Sequence, residues 1–292
     1  MRLPGTLLDD SNRPVIPGKA LEECMERVVV LARGLGTRMR KADAEAKLDT
    51  AQAAVAESGV KALIPIDRPF LDYVLTVVAD AGYRQICLVI GPEHRELRDY
   101  YSAVRAARLH VEFAVQQQPL GTADAVLAAQ SFAQDEPFLM INSDNHYPRV
   151  ALEGLRKAGG PAVAVFDQDA MLAGGNIPAE RLCKFAVVET DSANRLKRII
   201  EKPDAVILAG LPKPLGVSMN CWRFGPAIFD ACRAISPSPR GELEITDAVQ
   251  YTIDQLGERY ETVRCNAPVL DLSSRADVAP VTALLAGREV SL

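Results

Sequence analysis

The chain has 292 residues, 48% hydrophobic and 24% charged, with a formal net charge of −5. That is the balance of a globular protein, no apolar run approaches the roughly 18 residues of a membrane span, and an acidic surplus argues against a nucleic-acid partner. The N-terminus lacks the apolar core of a signal peptide, and six scattered cysteines without a C-x-x-C pair point to neither disulfides nor zinc, so the expected setting is the cytoplasm.

Residues 1–22 carry prolines and turn formers and read as an irregular extension. Residues 23–292 read as one domain, with a first half at about 27–150 and a second at about 151–275. A β-branched run places the first strand at Arg27–Ala32. Ala42–Ser58 is alanine-rich, stops at Gly59 and predicts a helix. Leu71, Val74, Leu75 and Val78 recur at helical spacing within Phe70–Ala81. A strand at Ile86–Ile90, a helix at Glu93–Ala106, a strand at Val111–Gln116, a helix at Thr122–Ala133 and a strand at Phe138–Asn142 follow. This β-α alternation predicts a largely parallel sheet with helices on both faces. The second half reads as strands at Ala162–Phe166, Phe185–Thr190, Leu196–Glu201 and Val217–Phe224. Helices at Pro226–Ala234 and Thr246–Leu256, a strand at Val269–Leu272 and a helix at Ala276–Ala286 end the chain.

Several segments at predicted strand ends carry chemistry. Leu31-Ala32-Arg33-Gly34-Leu35-Gly36-Thr37-Arg38 sits where open α/β sheets bind ligands. Its glycines allow close backbone approach, its N–H groups can cradle phosphate oxygens, and Arg38 can grip a phosphate at two points. Arg33 is able to touch phosphate or to point to solvent. Neither the lysine-bearing phosphate loop nor the dinucleotide fingerprint is present. Lys61 precedes an apolar run and could simply solvate a strand end. Gln116 can read a base edge with both donor and acceptor, and Gly121-Thr122 opens a helix, either as an anion site or as a plain cap. Asp144, at the end of a buried strand, suits Mg²⁺ with substrate phosphates, although Ser143-Asp144-Asn145 would also suit a turn. Glu201, Lys202 and Asp271 place charge at the ends of further β-rich runs.

Together these segments resemble the sugar nucleotidyltransferases. L-A-x-G-x-G-T-R, the lysine before L-x-P-[IV], Q-x-x-x-x-G-T-A, an aspartate at a strand end, E-K-P and a late E-x-x-[IL]-T-D run occur in the family's order. The resemblance implies a three-layer α/β/α Rossmann-like domain with a mixed, mostly parallel sheet. It implies that the first half binds nucleotide and the second binds sugar. Leu31, Ala32, Gly34, Gly36, Thr37, Gln116, Gly121 and Thr122 would line the nucleotide, and Arg38 and Lys61 would act on its phosphates. Ala186, Glu201, Lys202 and Asn220 would meet the sugar phosphate, and Asp144 and Asp271 would hold Mg²⁺. The implied reaction joins an NTP, UTP or dTTP by preference, to a sugar 1-phosphate with release of pyrophosphate. Neither nucleic acid nor membrane is an expected partner, and a homo-oligomer is compatible with the family.

The chain departs from that pattern in the long stretch between Arg38 and Lys61, at Ser218-Met219-Asn220 and Ala186 on the sugar side, and at Ser273-Ser274 after Asp271. The sugar-side departures keep open a cytidylyl- or guanylyltransferase for a non-sugar or cyclitol phosphate. A non-catalytic nucleotide-sugar sensor is a further alternative, which loss of Arg38, Lys61 or Asp144 would have favoured, and all three are present. Asp167-Gln168-Asp169 matches the D-x-D metal pattern of glycosyltransferases, or a polar turn.

Overall fold

The computed structural model describes residues 25–182, 185–201, 203–211, 213 and 215–292. Strand β1 (Arg27–Leu31) is central. It runs parallel between β2 (Gln85–Ile90) and β4 (Phe138–Asn142), with Val30 opposite Leu88 on one side and Ile141 on the other. β3 (His110–Val115) continues the parallel part beyond β2.

Successive side chains of a strand face opposite sides, and here both sides are buried. Val28 and Val30 pack with Ile86, Leu88, Leu139 and Ile141 beneath α3 (Phe70–Asp80), α4 (Arg95–Ala103), α7 (Arg149–Lys157) and α13 (Val278–Leu285). Val29 packs with Cys87, Val89, Phe138 and Met140 beneath α5 (Thr122–Ala128), α11 (Ala227–Ala234) and α12 (Ile245–Asp254). Continuous apolar runs, rather than alternating ones, are what a sheet covered on both faces requires. The aromatic centre of the second layer is Phe138, stacked on Phe229 at 5.5 Å and edge-on to Phe224 at 5.9 Å.

Beyond β4 the sheet becomes antiparallel. β10 (Trp222–Phe224) lies between β4 and β6 (Ala162–Asp167), antiparallel to both, and β11 (Glu261–Cys265) pairs parallel with β6. β9 (Gly216–Ser218) pairs with the end of β6 and with β7 (Ala186–Thr190), and β8 (Leu196–Ile200) pairs with β7. A separate two-stranded piece joins β5 (Asn145–His146) to β12 (Leu270–Asp271). Short helices α6 (Gln130–Ala133), α8 (Gln168–Gly174), α9 (Ala179–Leu182) and α10 (Ala205–Gly210) fill the connections. Among the described residues no helix is long and apolar enough to cross a membrane.

Three sequence expectations change. The helix predicted over 42–58 is α2 (Thr50–Ser58) alone. Asp49 and Gln52 form a capping box there, Asp49 Oδ1 accepting from Gln52 N at 2.8 Å, and Asp43 Oδ1 accepts from Glu45 N in a local turn. Side-chain bonds to nearby backbone thus defeat alanine propensity. The strand predicted over Val217–Phe224 is broken by Asn220, in the left-handed region at φ +53°, which asparagine tolerates better than most residues. The D-x-D pattern opens a helix instead of a polar turn: Asp167 caps α8, its Oδ1 accepting from Ala170 N at 2.9 Å.

Candidate active site

Three strands deliver their carboxyl ends to one place. Ala32 N donates to Val89 O at 2.9 Å, Gln116 N to Ile90 O at 2.9 Å and Ser143 N to Leu31 O at 3.0 Å, so the segments leaving β1, β3 and β4 are in register. They open onto a cavity of about 360 Å³. Its wall takes in Leu31, Ala32, Gly34, Thr37, Lys61, Gln116, Gly121, Thr122 and Asp144, all of them residues singled out in the sequence. Arg33, Ser143 and Glu242 also contribute.

The glycine loop is held by the segment inserted after it. Gly36 has φ +62°, and a Cβ there would lie 2.2 Å from Gly59 O and 2.6 Å from Gly59 Cα. Gly59, at φ +77°, is the left-handed cap that ends α2. The short helix α1 (Thr37–Arg40) follows Gly36, and its Arg40 donates from Nε and Nη2 to Ser58 O at 3.0 and 2.7 Å. The loop and α2 therefore lock each other. Lys61, two residues past Gly59, opens a single 3₁₀ turn rather than ending a strand. Its ammonium forms an ion pair with Asp144 Oδ2, with both side chains mostly buried.

At the other end of the cavity Gln116 is buried, and its Nε2 donates to Gly121 O at 3.0 Å and to Asp124 Oδ2 at 2.8 Å. Both partners are acceptors, which fixes the amide orientation and leaves Oε1 as the atom available to a ligand. Gly121, at φ +124°, lies so close to Leu243 that a Cβ would sit 2.4 Å from its carbonyl oxygen. Leu243 N donates to Leu120 O at 2.7 Å, and Ile245 N to Thr122 Oγ1 at 2.9 Å. The Thr122 hydroxyl thus serves the start of α12, not the cap of its own helix.

Asp271 sits behind this wall, buried and well bonded. Its Oδ1 accepts from Asn145 Nδ2 and Ser273 Oγ, both at 2.9 Å, and its Oδ2 pairs with Arg181 at 2.9 Å. Leu272 N donates to Asp144 O at 2.8 Å, which ties the two aspartate segments together. Burial, and then the charge of Asp144, push the Asp271 carboxyl up to about 6 against the opposing pull of Arg181.

Of the other expected residues that the structure describes, Gly36, Arg38, Ala186, Glu201 and Asn220 are not part of the cavity wall. Arg38 is exposed on α1. Ala186 begins β7 opposite Ser218, Glu201 is exposed just past β8, and Asn220 forms the β9–β10 break. Lys202 and residues 1–22 lie outside the described residues. Tyr147 went unnoticed in the sequence. Its hydroxyl donates to Met219 O at 2.7 Å and accepts from Asn142 N at 3.2 Å, bracing the β4 end against the β9–β10 break. Arg33 is also settled by the fold. It is buried, 3.3 Å from Gln117 O and 3.4 Å from Glu93, and its Nε and Nη1 have no partner.

The pattern of the family described as Nucleotidyl transferase matches residues 55–267. The chain belongs to that family. A glucose-1-phosphate thymidylyltransferase of Streptomyces griseus is 32% identical over 231 residues, covering 78% of this chain and 57% of the relative. A UTP–glucose-1-phosphate uridylyltransferase of Haloferax volcanii is 24% identical over 252 residues, covering 86% and 93%. The chain thus spans 57% of the length of the first of these nucleotidyl transferases and nearly all of the second. A crystal structure of UDP-glucose pyrophosphorylase with UDP-glucose superposes with a TM-score of 0.71 at 19% identity, over 91% of this chain and 100% of the other. That likeness establishes the three-layer fold. The family pattern begins within α2, so the Gly34–Arg38 loop and Asp271 are outside it.

Proposed function

We propose that this nucleotidyl transferase joins UTP or dTTP to a sugar 1-phosphate and releases pyrophosphate. The observation that carries the reading is the convergence of Gly34, Lys61, Gln116 and Asp144, from four separate stretches of chain, on one cavity. A sugar phosphate oxygen attacks the α-phosphorus, the bond from that phosphorus to the β-phosphate bridge oxygen breaks, and pyrophosphate leaves with the electron pair. The nucleophile is already anionic at neutral pH, so the protein's work is orientation and charge neutralisation rather than proton removal.

Lys61, buried against the loop, supplies fixed positive charge where negative charge gathers in the transition state. The backbone of Gly34 and Thr37 would offer N–H groups to the phosphates, and Arg38, exposed on α1 and outside the cavity wall, is proposed for the outgoing pyrophosphate. Gln116 favours the base: with both amide hydrogens used internally, its Oε1 accepts the imide N–H of uracil or thymine. Cytosine has no hydrogen at that ring nitrogen. Ala186, Glu201, Lys202 and Asn220 are proposed for the sugar phosphate.

Asp144 and Asp271 fit Mg²⁺, since two hard carboxylate oxygens plus substrate phosphates are what that ion takes. The two are joined through Leu272, and Asp271 feels the charge of Asp144. Bound there, the ion would screen the phosphate charges. The setting we propose is the cytoplasm.

The test is pyrophosphate release over a panel of four NTPs with sugar 1-phosphates and a cyclitol phosphate. UTP or dTTP with a sugar 1-phosphate should be turned over, and Lys61→Ala should lower kcat/KM by about 10²–10³-fold. Release only with CTP or GTP and a cyclitol phosphate would establish the alternative transferase. No release with any acceptor would point to a sensor, and an intact rate in Lys61→Ala would refute the assigned role.

A further inference from the structure

Asp271 has a cation of its own. Arg181, on the four-residue helix α9, spans two carboxylates: Nη2 reaches Asp271 Oδ2 at 2.9 Å and Nη1 reaches Asp277 Oδ1 at 2.7 Å. The carboxylates are almost wholly buried, and the arginine side chain is 18% exposed, so the pair is poorly screened. The backbone of Asp271 is also clamped, with Asn176 accepting from its N–H at 2.9 Å and donating to its carbonyl at 2.8 Å. The carboxylate is thus held in place whether or not Arg181 remains.

The arginine itself is less well served. Its Nε is buried without a partner, a cost an optimised structural ion pair avoids. Asp277 does not depend on it, because its Oδ2 accepts from Ser273 N, Ser274 N and Ser274 Oγ at 3.1, 2.7 and 2.9 Å. Asp144 is paired in the same way with Lys61. Each carboxylate assigned to the metal is therefore neutralised by a side chain.

We infer that Arg181 is a built-in counter-cation that competes with the divalent ion for Asp271 and holds down metal affinity until nucleotide phosphates arrive. An incoming ion competes with the Nη2 contact at Asp271 Oδ2, while Nη1 keeps the guanidinium on Asp277. Phosphates both ligate the ion and attract the released guanidinium edge, so metal and nucleotide bind cooperatively. A purely structural Arg181 would leave metal affinity unmoved.

The inference rests on the proposed Mg²⁺ role of Asp144 and Asp271. It is tested by Mn²⁺ binding to the full chain, followed by electron paramagnetic resonance with and without UTP. Arg181→Met should tighten Mn²⁺ binding without nucleotide by about tenfold and reduce the cooperativity with UTP by the same factor. Arg181→Lys, which keeps a charge, should resemble wild type. Arg181→Gln, which can still hydrogen-bond Asp271, should also tighten binding and serves if the methionine variant folds poorly. Adding Asp271→Asn to Arg181→Met should abolish the gain. Unchanged or weaker Mn²⁺ binding in both neutral variants overturns the inference, as does a gain that survives Asp271→Asn. If Asp144→Asn and Asp271→Asn each leave Mn²⁺–UTP binding at the wild-type level, the metal site itself is wrong and the inference falls with it.

Discussion

Gly34 and Gly36 look alike in the sequence, and the structure predicts opposite outcomes for replacing them. Alanine at position 36 must adopt φ +62°, which costs about 1–2 kcal/mol for a residue with a Cβ. Its methyl group would also lie 2.2 Å from Gly59 O and 2.7 Å from Gly59 C, and both are backbone atoms of the α2 cap. Backbone cannot rotate away as a side chain does, so the loop must lift from α2, and overpacking of this kind adds roughly 1–3 kcal/mol. We expect Gly36→Ala to destabilise the fold by about 3 kcal/mol, which lowers the melting temperature of a chain of this size by roughly 5 °C. Alanine at position 34 meets only Lys61 Cε, at an ordinary 3.9 Å. Gly34→Ala should therefore melt close to wild type, within about 0.5 kcal/mol. Circular dichroism melts of the three proteins in one buffer decide the matter. A Gly36→Ala protein within 2 °C of wild type would refute the argument that Gly59 buttresses the loop. Equal losses in the two variants would show that the loop responds to any added methyl, and would remove the distinction drawn from φ.

The buried His94 accepts from Gly91 N at 3.1 Å through Nδ1, and burial holds its imidazole below the ordinary histidine range. The unfolded chain therefore takes up that proton first. The stabilising contribution is complete above the unfolded value near pH 6.5 and is lost as pH falls through the lower folded value. Urea midpoints at pH 7.5 and 5 should fall less in His94→Gln than in wild type, and equal falls would assign the acid sensitivity to other groups. Burial raises all four described cysteines, Cys87 and Cys232 to about 12. Thiol labelling mapped by mass spectrometry should leave Cys87, Cys221, Cys232 and Cys265 unmodified in the native protein and modify them in urea. Rapid native labelling at Cys221 would contradict its burial.

Much of the fold was legible because buried strands need uninterrupted apolar runs. Val28-Val29-Val30 and the run from Ile86 to Ile90 could hardly be anything else. The candidate site was legible to the extent that its residues sit at strand ends, as Gln116 and Asp144 do. Elements governed by local polar competition were not. Asp49 and Gln52 moved a helix start by eight residues from its expected place at Ala42, and α7, α8 and β11 escaped notice, the last because Glu261 and Arg264 hide an otherwise strand-like run. Nothing in the sequence sets Arg181 apart from the other 32 basic residues.

The sequence by itself determined the kind of chemistry on offer: glycines, a lysine, a glutamine and two aspartates, in the order that the sugar nucleotidyltransferases share. Those are properties of side chains and of spacing. The tertiary structure decided which atoms remain for a ligand, because that depends on contacts between residues far apart in the chain. Asp124 and Gly121 consume the Gln116 amide hydrogens, Ile245 takes the Thr122 hydroxyl, and Gly59 fixes the loop at Gly36. Arg181, 90 residues before Asp271 in the chain, neutralises a carboxylate that the sequence presents as free.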